Sequence, residues 1–172
     1  MSLALPNSKG LCLGLGIVLG LVGGAFLPHA PLHAVAVDRS GDLVMATGLV
    51  ADDIEGVFFL DSLTGELKGM VINPMVQPPT VGVTYTRNVV ADMQIDVSKA
   101  PKFVMVSGLM PLRPLGGTNQ FASSVIYVAE VTSGKMAVYG MNFNRGQFNN
   151  MRGATGEFLL FQAGQFRQAV VR

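Results

Sequence analysis

The sequence predicts an all-β domain over residues 37–172, preceded by one transmembrane helix and a proline-rich linker within residues 1–36. Three observations carry this expectation. An uncharged run from Gly10 to Leu27 follows Lys9. Beyond it, short apolar runs are punctuated by glycine-bearing turns, and the single cysteine, Cys12, falls inside the first run. At 172 residues there is room for an anchor and one modest domain, not for two globular cores.

The anchor comes first. A helix over Gly10–Leu27, at about 1.5 Å per residue, reaches about 27 Å, close to the hydrocarbon thickness of a bilayer. Gly16, Gly20 and Gly24 recur every four residues and share one helical face, while Gly10 and Gly14 form a second pair. Bare faces of this kind let another membrane helix approach closely, so these five glycines are the expected membrane-helix packing residues. Pro28 and Pro31 end the helix. Lys9 on the short flank places the N-terminus inside and the domain on the periplasmic, extracytoplasmic side of the inner membrane. A retained signal anchor is the favoured reading. A secretory signal cleaved near Ala34-Val35-Ala36 is the alternative.

The β signal begins at Val35. Val57 to Leu60, a turn over Asp61 to Glu66, and Leu67 to Ile72 read as one hairpin; Val125 to Ala129, a turn over Thr132 to Lys135, and Met136 to Met141 read as another. A third is expected at Phe158 to Phe161, turning at Ala163-Gly164 and returning over Phe166 to Val171. A fourth runs from Val35 to Ala46 around Ser40-Gly41. In each, glycine supplies the positive φ of a tight bend. The apolar runs are continuous rather than alternating, which predicts strands covered on both faces. Met45-Ala46-Thr47-Gly48-Leu49 also echoes Met105-Val106-Ser107-Gly108-Leu109, as a duplicated unit would.

VFFLDSLTGELKGMV (57–71) and VIYVAEVTSGKMAVYGM (125–141) resemble the strand–turn–strand hairpins of quinoprotein-like β-propeller repeats. The whole chain is similar to small bacterial envelope proteins with an N-terminal apolar segment. The propeller likeness covers about 60 residues, and the chain departs from it in having no tryptophan. Its β region holds only about three blades of about 40–45 residues, and a closed ring needs at least about four. The resemblance therefore implies a partial propeller completed by oligomerisation, or a simple antiparallel sandwich, and it transfers no cofactor-binding residue.

Composition narrows the chemistry. Charged residues make up 13% of the chain, about half the ordinary share, and the net charge of +1 offers nothing to nucleic acid. The only histidines are His29 and His33, so residues 37–172 hold neither an imidazole nor a thiol. Asp52, Asp53 and Glu55 read as a solvated acidic loop rather than a calcium site. Asp61 and Glu130 occupy equivalent places before two turns and read as turn starts rather than as a glycosidase pair. Ser98 with Lys99, and Ser107 with Lys102, lack the strained turn of a nucleophile. Scattered methionines such as Met70, Met75, Met105 and Met110 suit packing rather than copper. Residues 38–66 carry seven acids and one base, residues 135–172 five bases and one acid, so the two segments suit mutual attraction. The loop Asn142–Asn150 is polar and aromatic and suits adaptable protein contact.

The expectation is a membrane-anchored, non-catalytic accessory or structural subunit of a membrane or envelope assembly. Its partners are the membrane and other membrane-protein subunits or further copies of itself, with no cofactor, metal, catalytic set or nucleic acid. An extracytoplasmic module for a glycan or peptide is the alternative, and a hydrolase the third reading.

Overall fold

The computed structural model describes Ile17 and residues 37–51, 53–110 and 120–167. The chain divides into two units, Met1–His33 and Ala34–Arg172. The run Gly10–Leu27, with Gly10, Gly14, Gly16, Gly20 and Gly24, lies outside the described residues apart from Ile17. Among the described residues no helix is long and apolar enough to cross a membrane.

The second unit is all-β, as the turn pattern predicts. Strands β1 (Val37–Ser40), β2 (Leu43–Ala51), β3 (Ile54–Asp61), β4 (Glu66–Asn73) and β5 (Thr80–Asn88) form an antiparallel meander. Then come α1 (Val89–Met93), a 3₁₀ turn (Val97–Lys99), β6 (Phe103–Leu109), β7 (Ser124–Glu130) and β8 (Lys135–Gly140). The chain ends with α2 (Arg145–Phe148), β9 (Ala154–Glu157) and β10 (Leu159–Gln165). The strand order is β1-β2-β3-β4-β5-β9 in one sheet and β10-β8-β7-β6 in the other, with only β5–β9 parallel.

The two sheets bury one core between them. Phe58, Leu60, Leu67 and Val71 come from the larger sheet, and Phe103, Met105, Ile126, Val128 and Tyr139 from the smaller. Phe158, the single residue between β9 and β10, ties them together. Its ring lies 6.3 Å from Phe58, 5.8 Å from Tyr85 and 6.5 Å from Tyr139. On the opposite side β2 meets β6, where the Ser107 hydroxyl donates to the Thr47 carbonyl. Glycines make room for the central ring. A Cβ on Gly48, Gly56 or Gly69 would come within 3.2, 3.1 and 3.0 Å of Phe58, so three neighbouring strands give up side chains to seat one phenyl group.

Three sequence expectations are corrected here. First, most strands are not covered on both faces, although the start of β7, where Val125 and Ile126 are both buried, is. Burial alternates along β2, β3 and β6, with every second residue exposed or half-buried. The continuous apolar runs arise because outward residues shelter one another across strands, as Met45 does opposite Phe59 and Val57 opposite Met70.

Second, Ala163-Gly164 is not a turn. β10 runs straight through it, because β8 offers an edge that pairs from Gly140 to Lys135. The local irregularity is a bulge between Leu160 and Gln162, which lays Phe161 over Gly140.

Third, the two echoing segments are equivalent in turn geometry but not in facing. Gly65 and Gly134 both have φ of 70°, and their N–H groups donate to Asp61 O and Glu130 O at 2.8 and 3.0 Å. Yet Met45 is 38% exposed while Met105 is 1% exposed, and Leu60 points inward where its counterpart Ala129 points outward. One unit is turned over relative to the other, as a one-residue change in register produces. A duplicated unit would have kept its inward positions.

Candidate functional site

Asp61 and Glu130, the two carboxylates singled out before turns, bond to backbone N–H groups, and the turned-over repeat explains how they differ. Asp61, at the end of β3, accepts from Leu63 N at 2.8 Å and Thr64 N at 3.4 Å, at the solvent side of its turn. The Leu63 N–H bond leads in holding its pKa below the ordinary carboxylate range. Glu130 makes the same turn contacts from a strand of opposite facing, so its side chain lies inside and is 2% exposed. It accepts from Thr132 N at 2.9 Å and Ser133 N at 2.6 Å, and from Lys102 N at 3.0 Å in the segment entering β6. Burial alone would raise the Glu130 pKa. The donors at Ser133, Lys102 and Thr132 outweigh it and bring the value down to about 2. Glu130 is thus a carboxylate clamp between a hairpin turn and a neighbouring strand.

Beside this clamp lies an open groove of about 320 Å³, lined by residues including Gln94, Ile95, Asp96, Lys99 and Pro101. Such a volume suits a small ligand, and its charged groups Asp96, Lys99, Glu130 and Lys135 hold internal bonds. The Lys135 ammonium donates to Met93 O at 2.9 Å and Gln94 O at 3.0 Å, closing the C-terminal end of α1. Ser98 Oγ donates to Asp96 at 2.6 Å, and Lys99 pairs with the same carboxylate at 3.6 Å. The hydroxyl of Ser98, followed by its N–H, lowers the Asp96 pKa. Ser107 gives its proton to Thr47 O rather than meeting Lys102. Among the described residues neither Ser98 nor Ser107 donates to or accepts from a lysine side chain.

Further along, Arg87 clasps Asp92 through two bonds of 2.8 Å. The Tyr139 hydroxyl nearby is buried and meets no acceptor in hydrogen-bond geometry among the described residues. Burial, reinforced by the Asp92 charge, pushes its proton release above the ordinary phenol range. Among the described residues no three of His, Cys, Asp and Glu converge as a metal cage would require. The remaining acidic loop is also tied down. Asp53 is held by two bonds from Arg145, one of them 2.7 Å, so the acidic and basic segments attract within the domain. Its partner Asp52 is outside the described residues.

The loop Asn142–Asn150, expected to be an adaptable contact surface, is instead anchored. Phe143 and Phe148 are buried with ring centroids 4.9 Å apart. Asn73, fully buried, donates to Phe148 O at 2.8 Å and Met151 O at 3.1 Å. Sequence reading missed Asn73, for which the only signal was a lone amide closing an apolar strand. Met105 is core, while Met75 is 56% exposed, so neither pairing of methionines forms a thioether site.

What remains available is surface. On the outer face of the smaller sheet, register places Val106 beside Tyr127 and Tyr127 beside Val138, with Val104, Ala129 and Met136 in the next row. Val104 is 47% and Val106 48% exposed. No outward position of β6, β7, β8 or β10 carries a charge; Glu130 and Lys135, the charged residues of these strands, turn inward. The larger sheet differs. Its outer face mixes Met45, Phe59 and Ile72 with Glu55, Glu66 and Lys68. An uncharged row across four strands is unusual for a solvated face and typical of one that packs on another surface. No protein-family model matches the chain, and neither does any curated protein or solved structure.

Proposed function

We propose that this protein works by contact: a non-catalytic accessory subunit whose β domain packs on a protein partner in a membrane or envelope assembly. The observation that carries the reading is the charge-free outer face of the smaller sheet, centred on Val106, Tyr127 and Val138. Burying such a face against a partner gains about 25 cal/mol per Å² of apolar surface removed from water and strands no charge. The partner is a protein of similarly apolar character rather than nucleic acid, since the net charge is only +1. The engagement of Glu130, Asp96, Lys135 and Ser107 in internal bonds is consistent with the same reading.

The uncharged run Gly10–Leu27 is proposed as the tether, lying in the inner membrane with the domain outside and Gly16, Gly20 and Gly24 against another helix. Detergent solubilisation from the native membrane followed by native mass measurement tests both parts. The expected result is a membrane-extracted species heavier than one chain. A strict monomer with no co-purifying protein, or a chain recovered free in the soluble fraction, overturns the reading.

A further inference from the structure

The two sheets have four edges, and three of them are protected. β1 carries Asp38 and Arg39 in its four residues, β9 is only four residues long and ends in Glu157, and β6 is covered by β2, which packs against it. Short strands, edge charges and coverage are the devices by which sheets avoid unwanted pairing. The fourth edge, β10, has none of them. It is seven residues long, its sequence LLFQAGQ carries no charge and no proline, and residues 161–165 are all exposed. Among the described residues no strand pairs with its far side.

Register identifies which groups are free. Phe166 N donates to Gly134 O at 2.9 Å, so in an antiparallel ladder Gly164 and Gln162 also turn their N–H and C=O toward β8. Ala163 and Gln165 then present theirs to the open edge. A groove of about 260 Å³, lined in part by Asp92, Gln94 and Lys135, runs beside these residues.

We propose that β10 is the seam of a homodimer, pairing antiparallel with β10 of a second copy through the N–H and C=O groups of Ala163 and Gln165. The inference extends the contact reading above by naming one interface and its occupant. A second copy fits for two reasons. An uncharged strand opposes itself across a two-fold axis without repulsion. Antiparallel pairing also brings the end bearing Arg167 in one copy toward the end bearing Glu157 in the other, and the axis repeats that attraction. Arg167, exposed, contacts backbone carbonyls within the chain rather than a carboxylate. The Glu157 side chain is 80% exposed, with Arg87 no nearer than 4.0 Å. The joined sheets would have eight strands, with the charge-free face continuous across them.

The test is amide hydrogen exchange and sedimentation on the detergent-solubilised full chain over a range of concentrations. The inference expects dimers in which the Ala163 and Gln165 amides become protected as concentration rises, while Gly164 is protected throughout. Ala163→Pro removes an edge donor that β8 does not use and should weaken dimerisation by about tenfold or more. Glu157→Lys, on an exposed side chain, should weaken it without altering the fold. Dimers that survive both substitutions unchanged overturn the seam. So do edge amides that exchange freely at every concentration. A wild-type monomer that still binds another protein overturns the second copy as occupant and leaves the contact reading standing. Loss of every protein association, with the dimer intact, does the reverse.

Discussion

Glu130→Gln is the substitution in which the physical argument is most exposed. The carboxylate is 2% exposed and gathers backbone N–H groups from Lys102, Thr132 and Ser133. Its pKa stands at about 2 against an ordinary 4.5, a difference worth on the order of 3 kcal/mol. A glutamine keeps the shape but loses the charge and turns an NH₂ toward at least one of those donors. Stability at pH 7 should fall by roughly 2–3 kcal/mol. Because the folded pKa is depressed, the wild-type advantage is complete above pH 4.5 and fades as pH falls from there toward about 2. Urea denaturation followed by tyrosine fluorescence is the assay, since the chain has no tryptophan and all three tyrosines lie in the β domain. The gap between wild type and variant should narrow clearly from pH 7 to pH 3. A gap that stays constant over that range would mean the carboxylate charge is not what holds the turn.

Other expectations follow from the core and its loops. Phe58→Ala should cost about 3–5 kcal/mol, because the emptied seat is floored by glycines that cannot fill it. Gly69→Ala should cost about 1–3 kcal/mol, since the added Cβ would sit 2.7 Å from Phe158; equal stability of the alanine variant would show that the ring moves freely. Asn73→Ala strips the donor from Phe148 O and Met151 O and should cost about 1–3 kcal/mol. Hydrogen exchange should accelerate first in residues 144–151, and uniform acceleration would contradict the clamp. Val106→Asp should leave the unfolding midpoint close to wild type, since the site is half-exposed, while reducing co-purification of any partner.

Much of the fold is legible in the sequence because turns are local. Gly41, Gly65 and Gly134 each take positive φ where the sequence places a bend. The acids before two of those bends serve as turn starts, as their positions suggest. Facing is a different matter. Whether Asp61 or Glu130 lies inside depends on register against a distant strand, and nothing within either hairpin sets it. The same holds for Gly164, whose turn-like dipeptide is overridden by pairing with β8. α1 escaped notice because five residues beginning Val-Val have little helical propensity. Its visible signal was Asn88, which caps it by accepting from Ala91 N at 2.9 Å. The contact surface was missed for a related reason. Low charge content was apparent, but its concentration on one face emerges only when four strands are laid side by side in register.

The most direct test of the account labels that face in place. With Cys12 replaced by serine, a cysteine introduced at Val106 and another, separately, at Glu55 would be modified by a water-soluble maleimide in intact native membranes and again after detergent extraction and purification. Both positions are solvent-accessible in the β domain alone. The account predicts that residue 106 reacts at least about tenfold more slowly in the membrane than when purified, whereas residue 55 reacts alike in both. Equal reactivity of residue 106 in the two settings would contradict it.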